Sequence, residues 1–279
     1  MEQKVIGLEK LYADKDWKEY ERKPVIPIGA ETETHNLVGN LENAFNLLIG
    51  GKTGSGKSNF FHCAIASLLK NTEIDELKFI LIDTKRVELI GTYNDLPNLM
   101  FPVAVTYDEA KEALQWCLDE IDRRFKVLAE IDYPFSVEEY NKRNKENIPR
   151  IVVVIDEFSD LMIEDFEFYK KAVLEILNSG PLAGVSIMIG TSKILETVYP
   201  KELVDAFRYR IAFATARAED SRIILGFNGA EKLRGDGEML ALYPEVETPV
   251  NAQGFYISED DIEKTKEQYI QKYTFKPES

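Results

Sequence analysis

Only two cysteines (Cys63 and Cys117) and two histidines (His35 and His62) occur among the 279 residues. So small an inventory excludes a zinc cluster of Cys and His, and without a CxxC pair it argues against a disulfide-stapled secreted fold. A reducing, cytoplasmic setting is the expectation. No apolar run approaches the roughly 18 residues that a membrane-spanning helix needs. The opening stretch MEQKVIGLEKLYADKDWKEY lacks the continuous apolar core of a secretory signal. Positive charge is also in short supply: 34 Lys and Arg stand against 49 Asp and Glu, a formal net charge of -15. Taken alone, that balance argues against a polyanion as partner. A net count can still hide a local basic surface. Lys142, Arg143, Lys145 and Arg150 cluster in one stretch, and Arg208, Arg210, Arg217, Arg222, Lys232 and Arg234 recur through the last third.

Apolar, β-branched runs alternate with helical patterns through most of the chain. Phe45–Gly50, Lys78–Ile82, Ile151–Ile155, Val185–Ile189 and Arg210–Ala214 read as strands. Because they are continuously apolar, helices must cover both faces, which predicts an α/β fold with a mainly parallel twisted sheet. Thr106 and Glu109 form a capping box that opens a helix to about Leu128. Ser136 and Glu139 mark a second, shorter one. Met239–Tyr243 and Gly254–Ile257 are expected as added edge strands. The organisation so read is a charged lead segment (1–23), one α/β domain (24–258) and a helical tail (259–279).

Gly51-Lys52-Thr53-Gly54-Ser55-Gly56-Lys57-Ser58 matches GxxxxGK[ST] in full. It follows an apolar strand and opens a helix that begins Ser58-Asn59, the context in which this pattern becomes a phosphate cradle. Glycines at 51, 54 and 56 let successive N–H groups turn inward, and the helix N-terminus adds its positive dipole end. Residues 51–59 are therefore the expected nucleotide contacts. Lys57 is expected at the β/γ-phosphates and the Ser58 hydroxyl on Mg²⁺. Downstream, Ile151–Ile155 ends in Asp156-Glu157. A buried strand has no structural need for two acids at its tip, so Asp156 is the second expected Mg²⁺ ligand and Glu157 the residue that activates water. ATP is expected rather than GTP, since no NKxD-type string is present. His62 and Cys63 are expected to pack rather than ligate.

Together these residues resemble the motor domain of the FtsK/SpoIIIE family of ring-shaped DNA translocases, over about Pro24 to Ile257. The phosphate-loop block, KFILIDTKRVELIGTYNDLPNL, the long helix with Trp116, Arg123 and Arg124, RIVVVIDEFSDLM, and RIAFATARAEDSRIILGFNGAEKLRGDGEML each have a counterpart there, in the same order. The resemblance implies a RecA-like sheet, a homo-oligomeric (hexameric) ring around double-stranded DNA, and ATP hydrolysis coupled to translocation, as in chromosome partition or mobile-element transfer. Membrane-anchoring and DNA-reading domains of the family are absent from these 279 residues. Departures are specific. Thr84 replaces a usual proline. Pro181 stands where an arginine reaching a neighbour's nucleotide is usual, and Ser192, after Thr191, replaces a sensing glutamine. Thr191 and Ser192 are thus the sensor candidates, with Arg208, Arg210 and Arg222 as candidates for a relocated trans-acting arginine. Two other readings stay open: a secretion-type ATPase that acts on protein, and a weakly hydrolysing nucleotide-binding module.

Overall fold

Strands apolar on both faces must be sandwiched by helices, and the order of elements shows how. A computed structural model describes residues 6–13, 16–32, 35–130 and 136–274. The parts of the lead segment, the Ala30–Leu37 stretch and the tail that fall at 1–5, 14–15, 33–34 and 275–279 lie outside the described residues. The strands are β1 (Ile6–Gly7), β2 (Val25–Thr32), β3 (His35–Asn40), β4 (Leu47–Gly50), β5 (Leu77–Ile82), β6 (Arg150–Ile155), β7 (Val185–Thr191), β8 (Tyr209–Phe213), β9 (Glu238–Leu242), β10 (Val250–Gln253) and β11 (Phe255–Tyr256). The α-helices are α1 (Leu8–Tyr12), α2 (Lys57–Asn71), α3 (Ile90–Tyr93), α4 (Tyr107–Ala129), α5 (Val137–Arg143), α6 (Phe158–Glu164), α7 (Phe166–Ser179), α8 (Lys201–Asp205), α9 (Ala218–Leu225) and α10 (Glu259–Thr274).

Nine strands form one sheet in the order β3-β2-β10-β9-β8-β4-β7-β6-β5. Strands β5, β6, β7, β4 and β8 pair in parallel, as their apolar runs predict. The strands from β9 to β3 add an antiparallel half. That half includes the hairpin β2–β3, which the residue pattern barely signals. Pro27 and Gly29 interrupt its pattern, and they coincide with a register shift that a bulge absorbs. The run Gly254–Ile257 also differs from expectation. Its Phe255 and Tyr256 pair with β1 in a separate two-stranded sheet, while Val250–Gln253 takes the place in the large sheet.

Alternation along each parallel strand feeds two cores. Val152 and Val154 face the side covered by α2, whereas Ile151, Val153 and Ile155 face the side covered by α4, α6 and α7. The lead segment and the tail bury side chains in the first of these cores: Leu8, Leu11 and Trp17 from one, Ile262 and Tyr269 from the other. The capping box on α4 forms as read, with Thr106 Oγ1 accepting from Glu109 N–H and the Glu109 carboxylate accepting from Thr106 N–H. Ser136 Oγ likewise accepts from Glu139 N–H.

Away from the carboxyl-terminal edge of the sheet, a buried arginine ties this framework together. Arg124 on α4 is 2% exposed; its guanidinium donates to Glu120 at 2.8 Å and to the Ala183 carbonyl, just before β7, at 2.8 Å. Its neighbour Arg123 reaches the same glutamate but is 59% exposed. Removing one partner of a buried ion pair costs about 3–5 kcal/mol, against at most about 1 kcal/mol for an exposed pair. Arg124→Ala is therefore expected to lower the urea midpoint sharply and Arg123→Ala barely at all; equal effects would show that Arg124 is not a structural tie.

Candidate nucleotide site

Parallel strands that share a direction also share a carboxyl-terminal edge, and the loops leaving that edge converge. β4 ends there in the phosphate loop. Gly51 N–H donates to the Thr191 carbonyl at the end of β7 at 3.2 Å, and Lys52 N–H to the Ala214 carbonyl after β8 at 2.9 Å. From below, Gly237 N–H donates to the Ser55 carbonyl at 3.1 Å. Gly56, at φ 124, leads into α2, and a Cβ there would lie 3.1 Å from Gly237 Cα, so the backbones touch where only glycine fits. The first intrahelical bond is Phe60 N–H to the Gly56 carbonyl, and no side chain caps the helix. The N–H groups of its first turn are thereby left for a ligand. Lys57 Nζ donates to the Gly51 carbonyl at 2.7 Å and to that of Lys52 at 3.0 Å, folded over its own loop. Burial lowers the pKa of this ammonium, with Glu157 and Asp156 pulling the other way.

β6 lies two strands from β4, so its tip faces the loop across a cleft of about 550 Å³. Thr53, Gly54, Gly56, Lys57, Ser58 and Asn59 line one side; Lys85, Glu88, Asp156, Glu157 and Ser192 line the other. Glu157 is 3% exposed and saturated with donors. Lys85 Nζ gives to Oε2 at 2.7 Å, Thr191 Oγ1 to Oε1 at 2.9 Å, and Ser192 N–H to both oxygens at 3.0 and 3.1 Å. The hydroxyls of Ser159 and Ser192 complete the shell. Both sensor candidates, Thr191 and Ser192, are thus in direct contact with the glutamate. Sequence reasoning singled out neither Lys85 nor Ser159. The polar residues that directly follow the apolar strand β5 and the Asp156-Glu157 pair were the available signal.

Asn59 sits in the helix turn as expected, but its side chain is engaged elsewhere. Nδ2 donates to the Ile257 carbonyl at 2.8 Å, tying α2 to the segment after β11. His62 and Cys63 pack as expected: His62 Nδ1 meets Tyr93 Oη at 2.8 Å, and Cys63 is buried and free. The three arginine candidates do not line the cleft. Arg208 and Arg210 stand at the opposite end of β8 from the loop, where Arg210 pairs with Asp205 at 3.5 Å. Arg222, exposed on α9, donates to Asn228 at 3.0 Å. Pro181 precedes β7 at that same far edge.

Residues 7–224 match the family model described as FtsK/SpoIIIE. The chain belongs to the FtsK/SpoIIIE family. It is 35% identical over 261 residues to the DNA translocase FtsK of Borreliella burgdorferi, covering 91% of this chain and 33% of that one. Over 268 residues it is 36% identical to the DNA translocase FtsK of Clostridium tetani, covering 93% and 35%. The chain therefore spans about a third of the length of the curated relatives it matches. Among solved structures it is similar to the monomer form of the pCW3 conjugation coupling protein TcpA with ATPγS (TM-score 0.80, 23% identity, 96% of this chain and 75% of that one). The cytoplasmic domain of the type VII secretion ATPase EccC of Thermomonospora curvata has the same TM-score of 0.80 at 20% identity, covering 96% and 34%. These likenesses establish the fold as that of a P-loop ATPase. Among the described residues, no helix is long and apolar enough to cross a membrane.

In this member of the family the adjacent carboxyls at the tip of β6 are shifted in opposite directions. Burial, reinforced by Asp83 and Glu88, pushes Asp156 up from 3.8 to about 6. Burial acts on Glu157 too, but the donors Lys85, Ser159 and Ser192 outweigh it and bring that carboxyl down from 4.5 to about 2. The signs matter for stability. Glu157 stabilises the fold above pH 4.5, a contribution lost as pH falls toward 2. Asp156 does the reverse: its charge is tolerated better in the unfolded chain, so stability falls as pH rises from about 4 to 6. A shift of this size corresponds to roughly 3 kcal/mol. Asp156→Asn is accordingly expected to raise the thermal midpoint in EDTA at pH 7.5, with the gain shrinking toward zero at pH 4. A destabilised variant at pH 7.5 would show that the charge is not a burden to the fold.

Proposed function

We propose that this chain is the motor core of an ATP-driven double-stranded DNA translocase. The observation that carries the reading is the single cleft on which the phosphate loop and the acidic tip of β6 converge. The loop backbone from Gly51 to Gly56 and the first turn of α2 bind the phosphates. Lys57 leaves its two loop carbonyls for the terminal phosphates. Ser55 Oγ, a buried hydroxyl with no partner, fits a group that brings an acceptor to the loop. Behind the loop a second, largely apolar hollow of about 360 Å³, lined by Gly54, Phe60, Phe213, Gln253 and Tyr256 among others, has room for a nucleoside.

The residues also fit magnesium. Among the described residues no group of three or more His, Cys, Asp or Glu could hold a metal by itself. A hydroxyl from Ser58 and one carboxylate from Asp156 are the sparse protein donors with which magnesium, otherwise held by phosphate and water, is bound. A bound magnesium neutralises charge on the phosphate oxygens. Glu157 orients the attacking water and accepts its proton, and Thr191 and Ser192 position that carboxylate.

The identity of 35–36% to relatives named DNA translocases supports DNA as the substrate. Ring assembly, a hexamer with a trans-acting arginine from among Arg208, Arg210 and Arg222, and cooperation with membrane-anchored or DNA-reading domains in the cytoplasm belong to the same proposal. A protein-moving ATPase shares the fold at 20% identity and is the second reading.

Lys57→Ala is expected to weaken ATP binding about 10- to 100-fold, the worth of charge-assisted hydrogen bonds lost from a phosphate. Unchanged affinity in an equilibrium titration sinks the loop assignment. Glu157→Gln should keep ATP affinity and lose turnover by about 10²- to 10⁴-fold, the usual contribution of a general base; turnover at the wild-type rate moves that role elsewhere. ATPase rate should rise with double-stranded DNA and the rise should shrink at higher salt. Indifference to DNA at both salt concentrations favours the protein-directed reading.

A further inference from the structure

Two ammonium groups face the cleft, and only Lys57 belongs to the phosphate loop. The other, Lys85, is carried by a turn built around one buried carboxylate. Asp83, 0% exposed at the end of β5, accepts from the N–H groups of Val87, Glu88, Leu89 and Ile90 at 3.3, 3.0, 2.8 and 3.2 Å. Wrapping the chain this way forces Arg86 to φ 57 and fixes the backbone from which Lys85 projects.

Lys85 ends on Glu157 Oε2, where it joins Ser192; Ser159 and Thr191 hold Oε1, and Ser192 N–H bridges both oxygens. An ionised carboxylate offers about four lone-pair sites. With these donors in place none is left for a water proton, so a Glu157 that activates water must first lose a donor. Thr191 and Ser159 are fully buried on β7 and α6 and cannot withdraw without disturbing the core. Lys85 is different: its side chain is 36% exposed against 2% for Glu157, its stem is flexible, and it shares the cleft with Thr53, Lys57 and Ser58.

We propose that Lys85 is a two-position residue that leaves Glu157 for the terminal phosphate of a bound nucleoside triphosphate, so that it reads the third phosphate and frees Glu157 in one movement. The inference rests on the nucleotide reading above. A diphosphate ends short of Lys85 and leaves it on the glutamate. A triphosphate offers oxygens of higher charge density, and the exchange replaces one ammonium–anion contact with another, so it costs little electrostatically. Lys85 acts on Glu157 as a positioning residue and on the nucleotide as a direct contact.

The test is equilibrium binding of ATPγS and ADP, each with magnesium, to the wild type, Lys85→Met and Lys85→Arg. Lys85→Met keeps the stem and removes the charge. It is expected to cut the preference for ATPγS over ADP about tenfold while leaving ADP affinity unchanged, the size of one charge-assisted hydrogen bond. Lys85→Arg should recover most of that preference. Equal weakening of both nucleotides, which a general structural role would give, overturns the proposal, as does an unchanged preference in Lys85→Met. Failure of the wild type to bind either nucleotide overturns the phosphate-loop reading and this one with it, whereas normal wild-type binding with an unaltered preference in Lys85→Met removes the Lys85 proposal alone.

Discussion

The pinning of the phosphate loop to its two neighbouring strands governs the rest of the site. Gly51 and Lys52 each give a backbone N–H to the end of an adjacent strand, β7 on one side and β8 on the other. These bonds exist because β4 lies inside the sheet, with a parallel partner on both edges. A loop at a sheet edge would have one anchor and a variable mouth. With two anchors, plus the bond from Gly237 beneath, the backbone amides keep one concave shape without a ligand to impose it. Preorganisation of that kind removes ordering cost from binding.

Adjacent positions in sequence need not share an electrostatic fate. Asp156 and Glu157 leave the same strand, yet burial and neighbouring acids outweigh Lys85 at the first, while the second is hydrogen-bonded by that ammonium, three hydroxyls and an amide. Pairs of titratable groups whose surroundings drive them apart are a recurrent mark of functional sites. Here the divergence follows from the partners within reach: Glu157 meets Thr191 and Ser192 at the end of β7 and Lys85 from the turn after β5, whereas Asp156 lies near the acids Asp83 and Glu88 of that turn.

What could be read from the sequence was local. GxxxxGK[ST] between an apolar strand and a helix, and two acids after Ile151–Ile155, each concern a few consecutive residues whose chemistry is written side by side. The parallel half was legible for the same reason, since strands covered on both faces advertise themselves by unbroken hydrophobicity. The hairpin β2–β3 was obscured by Pro27 and Gly29, breakers in isolation that here sit at a bulge. Asn59 carries a tie that its position does not announce: it lines the cleft in the first helical turn, while its side-chain amide donates to the Ile257 carbonyl, 198 residues away in the chain. Lys85 and Asp83 gave no local sign of their partnership with Glu157 or with the turn, because those contacts exist only after β5 and β6 have paired. The trans-acting arginine of the proposed ring would lie beyond both kinds of reading, since such a role is a property of two copies rather than of one chain.

The bond between Asn59 and the segment after β11 has a mechanical meaning as well. β1 pairs with β11, and the residue just past β11 is tied to α2 two positions after Lys57. Two side chains of α2, the helix that Lys57 opens, thus reach the strand pair: the Asn59 amide donates to the Ile257 carbonyl and Cys63 Sγ to the Phe255 carbonyl. The junction therefore couples the packing of α2 to the β1–β11 pair, so the small sheet and the phosphate loop's helix are parts of one packed unit.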